Sequence, residues 1–397
     1  MTLSDISTSN NTPIQNLSED LLELFPIKLI GGFISIDSHI GCSGCAFCLA
    51  RRSPICNQIF KENVHHSPAW LTAQLLFELL QKMPSFTKAQ VPIRFGHNTD
   101  SFFQWEVGVE LAALLPTQYP FVILTRNPVS KEKLTPFIET SDAILKLTIT
   151  PKSSMLQYTP ELDALIETAH NTPKERLFIL IGPVAQDSTD AVKSILKRLP
   201  SNIFLDIKDI TVDGIGPLNE SMRPSQKVIA ELRAYASSMG FFVTDYFTCL
   251  TRSKTQRPLF KYHTAPSYMK ESCTRCPNLK ICQTPLDEES TLSKITTLGK
   301  SIGLSLTDYT TEEDGTLSFD SDTPVSRGDE TYLCEMVNYP IRINTRKEGT
   351  EGGCFSDEGA TVLERWQEFN FYPTSEMIAI TQKLANELPI EVHHGKA

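Results

Sequence analysis

Cys42, Cys45 and Cys48 fall in one short stretch, Gly41-Cys42-Ser43-Gly44-Cys45-Ala46-Phe47-Cys48, directly after an apolar, β-branched run. Three thiolates so spaced can hold three irons of a four-iron, four-sulfur cluster and leave the fourth iron open to a small molecule. Gly41, Ser43, Gly44 and Ala46 let the backbone wrap closely and bring N–H groups to the sulfides. The same residues suit a zinc knuckle with His39 or Cys56 as fourth ligand, or three buried thiols. A second constellation, Cys249, Cys273, Cys276 and Cys282, supplies four thiolates. They suit a fully ligated second iron–sulfur cluster, or structural zinc with His263 able to replace one. His65-His66 is a possible metal pair, but neighbours on regular structure point apart, which favours a surface turn.

The elements that must position these groups alternate in type. Apolar runs at 30–36, 91–95, 121–125, 144–150, 177–181, 203–207 and 241–244 read as strands covered on both faces. Between them, 70–81, 106–115, 131–139, 159–170, 191–199 and 225–238 carry apolar residues at helical spacing. The fold class is α/β, a parallel sheet that right-handed crossovers would curve into a barrel or a partial barrel, with chemistry at the C-terminal ends of the strands. The cysteine loop after the first strand falls at that end. We divide the chain into a disordered segment 1–24, the barrel 25–245 and a cysteine-containing C-terminal region 246–397. That last region holds a basic run at 250–263, an acidic mobile stretch near 310–322, a Gly-rich stretch at 349–359 and a final helix at 375–387.

Composition narrows the classes. With 37 basic and 47 acidic side chains the net charge is −10, against a general nucleic-acid coat though not against a local basic groove. No apolar run approaches the about 20 residues of a membrane helix, and the N-terminus lacks a signal-peptide pattern. The ten cysteines are mostly clustered, so a cytoplasmic chain with reduced or metal-bound thiols is expected.

The triad after the first strand, with Phe47 before its last cysteine, resembles that of the radical S-adenosylmethionine enzymes, which implies a partial (βα)6 parallel barrel, here with a C-terminal cysteine-containing extension. The usual spacing has three residues between the first two cysteines; here Ser43 and Gly44 are the only two, so the loop takes a tighter path. Pro92-Ile93-Arg94-Phe95-Gly96-His97-Asn98-Thr99-Asp100-Ser101-Phe102, Leu124-Thr125-Arg126, Leu147-Thr148-Ile149-Thr150 and Leu180-Ile181-Gly182-Pro183-Val184 are similar to the strands of the spore photoproduct lyase-like branch, over residues 28–210. That branch usually has Lys where Arg126 stands. The resemblance implies that the open iron chelates S-adenosylmethionine and that its reductive cleavage gives a 5′-deoxyadenosyl radical, which takes hydrogen from a substrate. It implies an external electron donor such as flavodoxin or ferredoxin. Gly96, Asn98 and Asp100 are then expected near the methionyl end, Thr148 and Thr150 at the ribose or carboxylate, and Ile181 and Gly182 beside the adenine. The bland readings are strand packing for the threonines and a turn for Gly182-Pro183. An ammonium group would serve the Asp100 carboxylate. Cys249, Cys273, Cys276 and Cys282 are similar to part of the auxiliary-cluster pattern of peptide maturases in the same superfamily. A thiol can return hydrogen to a substrate radical; Cys354, in Glu351-Gly352-Gly353-Cys354-Phe355, is the candidate, while a lone cysteine such as Cys56 or Cys334 is more often a small buried hydrophobe. The substrate expected is a peptide or small natural-product precursor, the alternative a nucleic-acid lesion, and a non-catalytic zinc or iron–sulfur module stands as the reading from another class.

Overall fold

A computed structural model of the chain describes residues 18–30, 33–41, 54–87, 93–96, 99–116, 119, 121–156, 161–209, 222–243, 288–301, 303–312, 317–323, 325, 333, 341–345 and 375–393. The elements run α1 (Glu19–Glu23), β1 (Ile27–Ile30), β2 (Phe33–Ile36), α2 (Pro54–Lys61), α3 (Ala73–Gln81), α4 (Pro84–Thr87), β3 (Ile93–Phe95), α5 (Trp105–Leu114), β4 (Phe121–Thr125), α6 (Lys131–Thr140), β5 (Ile144–Ile149), α7 (Leu162–Asn171), β6 (Leu177–Val184), α8 (Thr189–Arg198), β7 (Phe204–Asp209), α9 (Gln226–Ser238) and β8 (Phe242–Val243). Side-chain caps set several starts. Ser18, Thr72, Ser130 and Ser225 each accept a backbone N–H from the first turn of α1, α3, α6 and α9.

Strands β1 to β8 form one sheet in sequential order. β1 and β2 are antiparallel, Ile27 opposite Ile36; every later pairing is parallel. Period-two alternation gives the sheet two faces. Ile93, Phe95, Ile123, Leu145, Leu147, Ile179, Ile181, Leu205 and Ile207 join the helices in the main core. On the opposite face Val122, Ile144, Phe178 and Phe204 form a separate apolar layer, with Leu124, Leu180 and Phe242 against it. Both faces are covered, which is why the strands read as continuous apolar runs.

The 30–36 run is a hairpin rather than one strand: Ile30 ends β1, Phe33 begins β2, and Gly31-Gly32 stands between them in the chain. The boundary at 24 moves too. Ser18 to Leu24 belong to the folded unit, with Leu21 and Leu22 fully buried, because α1 has an N-cap and an apolar face to bury.

The C-terminal region has its own core. α10 (Glu288–Ser301) accompanies a sheet of β9 (Leu306–Thr311), β10 (Leu317–Ser321) and β11 (Ile341–Thr345), in the order β11-β10-β9. Ile295, Leu304, Leu317, Phe319, Leu333, Ile341 and Ile343 cluster there. The stretch near 310–322, expected to be mobile, includes the end of β9 and all of β10; its acids mask the alternation that buries Leu317 and Phe319. The last helix, α11 (Ser375–Asn386), returns to the first unit. Met377, Ile380, Leu384 and Leu388 enter the main core, and Glu387 accepts from the Trp70 indole N–H at 2.9 Å. So 246–397 is not one region: its middle builds a second core and its end completes the first. The basic run 250–263 and the Gly-rich stretch 349–359 lie outside the described residues.

Candidate functional site

The C-terminal end of β2 leads through Asp37, Ser38, His39 and Ile40 to Gly41, next to the cysteine triad in sequence. Ile40 and His66 exchange backbone hydrogen bonds at 2.8 and 2.9 Å, which pins this approach. The Asp37 carboxylate accepts from the Thr99 hydroxyl (2.9 Å) and backbone N–H (3.2 Å), tying the ends of β2 and β3 together. Cys42, Cys45, Cys48, Asn98, Cys249, Cys273, Cys276, Cys282, Cys334 and Cys354 lie outside the described residues. Among the described residues no group of three or more His, Cys, Asp or Glu side chains could hold a metal.

Ser38 and His39 are nonetheless informative. Both are buried, 1 % and 4 % exposed, and among the described residues neither Ser38 Oγ nor His39 Nε2 has a hydrogen-bond partner. Burial lowers the His39 pKa, opposed by the carboxylates of Asp37 and Asp100 and by a hydrogen bond to the Gly41 backbone. The ring lies 5.5 Å from that of Phe103. An unpartnered buried imidazole nitrogen and hydroxyl cost free energy unless something polar meets them. Two such atoms, within four residues of Cys42, fit a polar or metallic group seated at the end of β2.

The neighbouring strand ends are locked by Asp100. Its Oδ1 accepts from the Thr125 hydroxyl at 2.6 Å and the Phe102 N–H at 2.9 Å; its Oδ2 accepts from the Arg126 N–H at 2.8 Å. The partner sequence reasoning sought for this carboxylate is therefore the end of β4 itself. Arg126 Nη1 in turn donates to Thr150 Oγ1 (3.2 Å), whose hydroxyl donates to the Gly182 carbonyl (3.0 Å). Asp100, Arg126, Thr150 and Gly182 thus form one hydrogen-bonded chain across β3 to β6. Thr148 is buried on the face opposite the main core, as alternation requires. Ile181 faces the other way: its side chain is fully buried in the main core, so only its backbone is at the strand end. Gly182-Pro183 lies within β6, at a register irregularity between Ile181 and Val184, rather than in a turn. Gly96 follows β3 and donates its N–H to Ile36 O at 2.8 Å. Asp100→Asn keeps the shape and removes an acceptor. We expect it to cost about 1–3 kcal/mol in urea unfolding, with Thr125→Val nearly additive only if the network is absent.

A second strap joins the loops after β5 and β6. Asp187 accepts from Ser153 Oγ (2.6 Å), Ser154 Oγ (2.7 Å) and Ser154 N–H (2.8 Å). Desolvation would raise its pKa, but these bonds outweigh it and hold the carboxyl below the usual range. A carboxylate depressed on folding contributes stability above its unfolded pKa of about 3.9 and loses it as pH falls through the folded value. The group is exposed, so the contribution is small. Asp187→Asn should lower the urea midpoint modestly at about pH 6 and leave a shallower fall toward about pH 3.

His65 and His66 diverge, His65 to Asn63 at 3.2 Å and His66 to Glu387 at 2.9 Å, so they form no metal pair; His66 lies in the bridge to Ile40 rather than in the surface turn expected. Cys56 is on α2, half-buried against the main core. Sequence reasoning missed Lys146, Asp206, Lys208 and Arg233. The signal was a charged residue inside an otherwise apolar strand: Lys146 in Ile144-Leu145-Lys146-Leu147, and Asp206 and Lys208 in Phe204-Leu205-Asp206-Ile207-Lys208.

No family model, no curated protein and no solved structure matches this chain. Among the described residues, no helix is long and apolar enough to cross a membrane.

Proposed function

We propose that the chain is a radical S-adenosylmethionine enzyme, its eight-stranded sheet a partial barrel and its catalytic four-iron, four-sulfur cluster held by Cys42, Cys45 and Cys48. The observation that carries this reading is the coincidence at the end of β2. Three cysteines follow in sequence on two buried polar side chains, Ser38 and His39, that have no partner among the described residues, at the C-terminal edge of a sheet with sequential strand order. Such an edge is where parallel α/β folds do chemistry. When bound, the cluster and S-adenosylmethionine supply a carbon-centred radical that takes a hydrogen atom from the substrate. The chain's own work is positioning. Asp37 and Asp100 fix the loop after β3, and Arg126, Thr150 and the Gly182 carbonyl set donors and acceptors along the rim where the nucleoside would lie. A peptide or small natural-product precursor is the substrate class we favour, given the net charge of −10; nucleic-acid repair or modification is the alternative. Cys249, Cys273, Cys276 and Cys282 would hold a second cluster.

One observation favours a second reading. His39 Nε2 is a buried ring nitrogen without a partner among the described residues, three positions before Cys42, and would complete a tetrahedral zinc site. The two readings part on electron paramagnetic resonance of anaerobically reconstituted, dithionite-reduced protein. The enzyme reading expects a cluster signal that changes when S-adenosylmethionine is added. A colourless protein holding zinc and giving no signal would replace the enzyme with a metal-stapled binding module.

A further inference from the structure

Just past the end of α11, Glu387 takes donors from two residues of one loop in the first unit. Its carboxylate accepts from His66 Nε2 at 2.9 Å and from the Trp70 indole N–H at 2.9 and 3.1 Å. A carboxylate only accepts, so His66 carries hydrogen on that ring nitrogen. One helical turn earlier, the Lys383 ammonium stands 4.2 Å from the centre of the Trp70 ring. Exposed ion pairs hold little, but the His66 and Glu387 side chains are only 24 % and 32 % exposed, and two donors share one acceptor group. His66 and Glu387 are 321 residues apart in the chain, so this contact forms only when the last helix docks.

The loop that Glu387 holds is the one on which the approach to the triad leans. The Val64 N–H donates to Ile59 O at 2.9 Å, which closes the turn after α2. His66 then exchanges both backbone hydrogen bonds with Ile40. The Val64 carbonyl oxygen stands so close to Gly41 that no Cβ fits there. Residues 64–66 are therefore the wall against which Ile40 and Gly41 lie, and Cys42 is next in sequence. Two hydrogen bonds alone are a weak restraint, because an isolated bridge opens locally more readily than a ladder. The wall needs support from behind, and among the described residues the side-chain partner of His66 is Glu387. An independent contact ties the other end of α11: the Lys82 ammonium, at the end of α3, meets the Glu376 carboxylate.

We propose that Glu387 is a positioning residue for the triad: α11 is a latch that fixes His66 and, through the Ile40–His66 bridge, the root of the cysteine loop. The segment that aims Cys42 is then set from the far end of the chain, and metal loading waits until the last helix has docked. The loading step rests on the reading that the triad holds a metal, whether iron or zinc. The coupling of α11 to Ile40 does not, and it is measured separately.

Hydrogen–deuterium exchange of the full-length protein, read by mass spectrometry on peptides covering 37–41 and 63–67, tests the latch. Glu387→Ala is expected to speed exchange there about tenfold and to leave β4, β5 and β6 unchanged. Glu387→Gln keeps one oxygen for two donors and should fall between Glu387→Ala and wild type. Glu376→Ala removes the contact with Lys82 and should leave exchange at 37–41 as in wild type. The second readout is metal bound per chain after reconstitution, with Cys273 and Cys276 replaced by alanine so that the triad is the site counted. In that parent Glu387→Ala should hold about half the metal or less, and Glu376→Ala as much as the parent. Unchanged exchange at 37–41 in Glu387→Ala, the same acceleration in Glu376→Ala, or full metal retention despite faster exchange would overturn the proposal. A parent that takes up no metal would end the cluster and zinc readings, while exchange would still decide whether α11 sets the bridge.

Discussion

Replacing Cys42, Cys45 and Cys48 together by alanine is expected to remove about half of the iron from reconstituted protein and all capacity to cleave S-adenosylmethionine. The expectation follows from coordination chemistry. If both constellations hold four-iron clusters, wild type binds about eight irons, and the triad accounts for about four. The comparison variant replaces Cys273 and Cys276. It should lose the other half of the iron while still forming 5′-deoxyadenosine in a single turnover, because a fully ligated cluster offers no vacant position. Iron content and chromatographic detection of deoxyadenosine read both. A triad variant that keeps all its iron would move the metal elsewhere in the chain.

The second large effect is expected at Gly41. Its φ is +86°, and a Cβ there would stand 1.9 Å from the Val64 carbonyl oxygen. That oxygen belongs to the backbone beside the Ile40–His66 bridge, so it cannot move without breaking the pairing. Gly41→Ala therefore adds steric overlap to left-handed strain, a loss of about 3 kcal/mol or more. It also misdirects the chain one residue before Cys42. We expect a large fall in the urea midpoint together with poor iron incorporation at the triad. Gly303→Ala is the control: φ is +84° but no atom lies within 4 Å of the added carbon, so strain alone, about 1 kcal/mol, should appear. Equal losses at both positions would show that the contact with Val64 does not matter.

Much of the first unit was legible because its elements obey local rules. Helices at 73–81, 105–114, 131–140, 189–198 and 226–238 follow the apolar spacing, and serine or threonine caps mark several of their starts. The strands were legible as covered on both faces. What was not legible depends on contacts between distant segments. The apolar run 30–36 carries no sign, other than its two glycines, that it splits into antiparallel β1 and β2. Nothing local shows α11 returning to bury Met377 and Ile380 with the first unit. β10 was hidden because its buried positions include Ser318 and Ser321 beside Leu317 and Phe319, in a stretch whose flanking acids read as solvent-facing.

The site divides the same way. Asp100 was rightly singled out as a carboxylate in need of a donor, but its donors are Thr125 and the backbone of Phe102 and Arg126, a match visible only once β3 and β4 lie side by side. Ile181 was placed at the strand end by position alone, whereas the two-residue period turns its side chain to the helices. Lys146 was hidden in plain view: one lysine in an apolar strand reads as noise until Arg94 and Lys208 arrive from strands 52 and 62 residues away in the chain.

The central claim is that the triad presents an open iron to a sulfonium nucleotide. Full-length protein, reconstituted with iron and sulfide without oxygen, should be incubated with S-adenosylmethionine and dithionite and assayed for 5′-deoxyadenosine and methionine. The account predicts both products in equal amounts, dependent on reductant. Iron-replete protein that forms neither would contradict it.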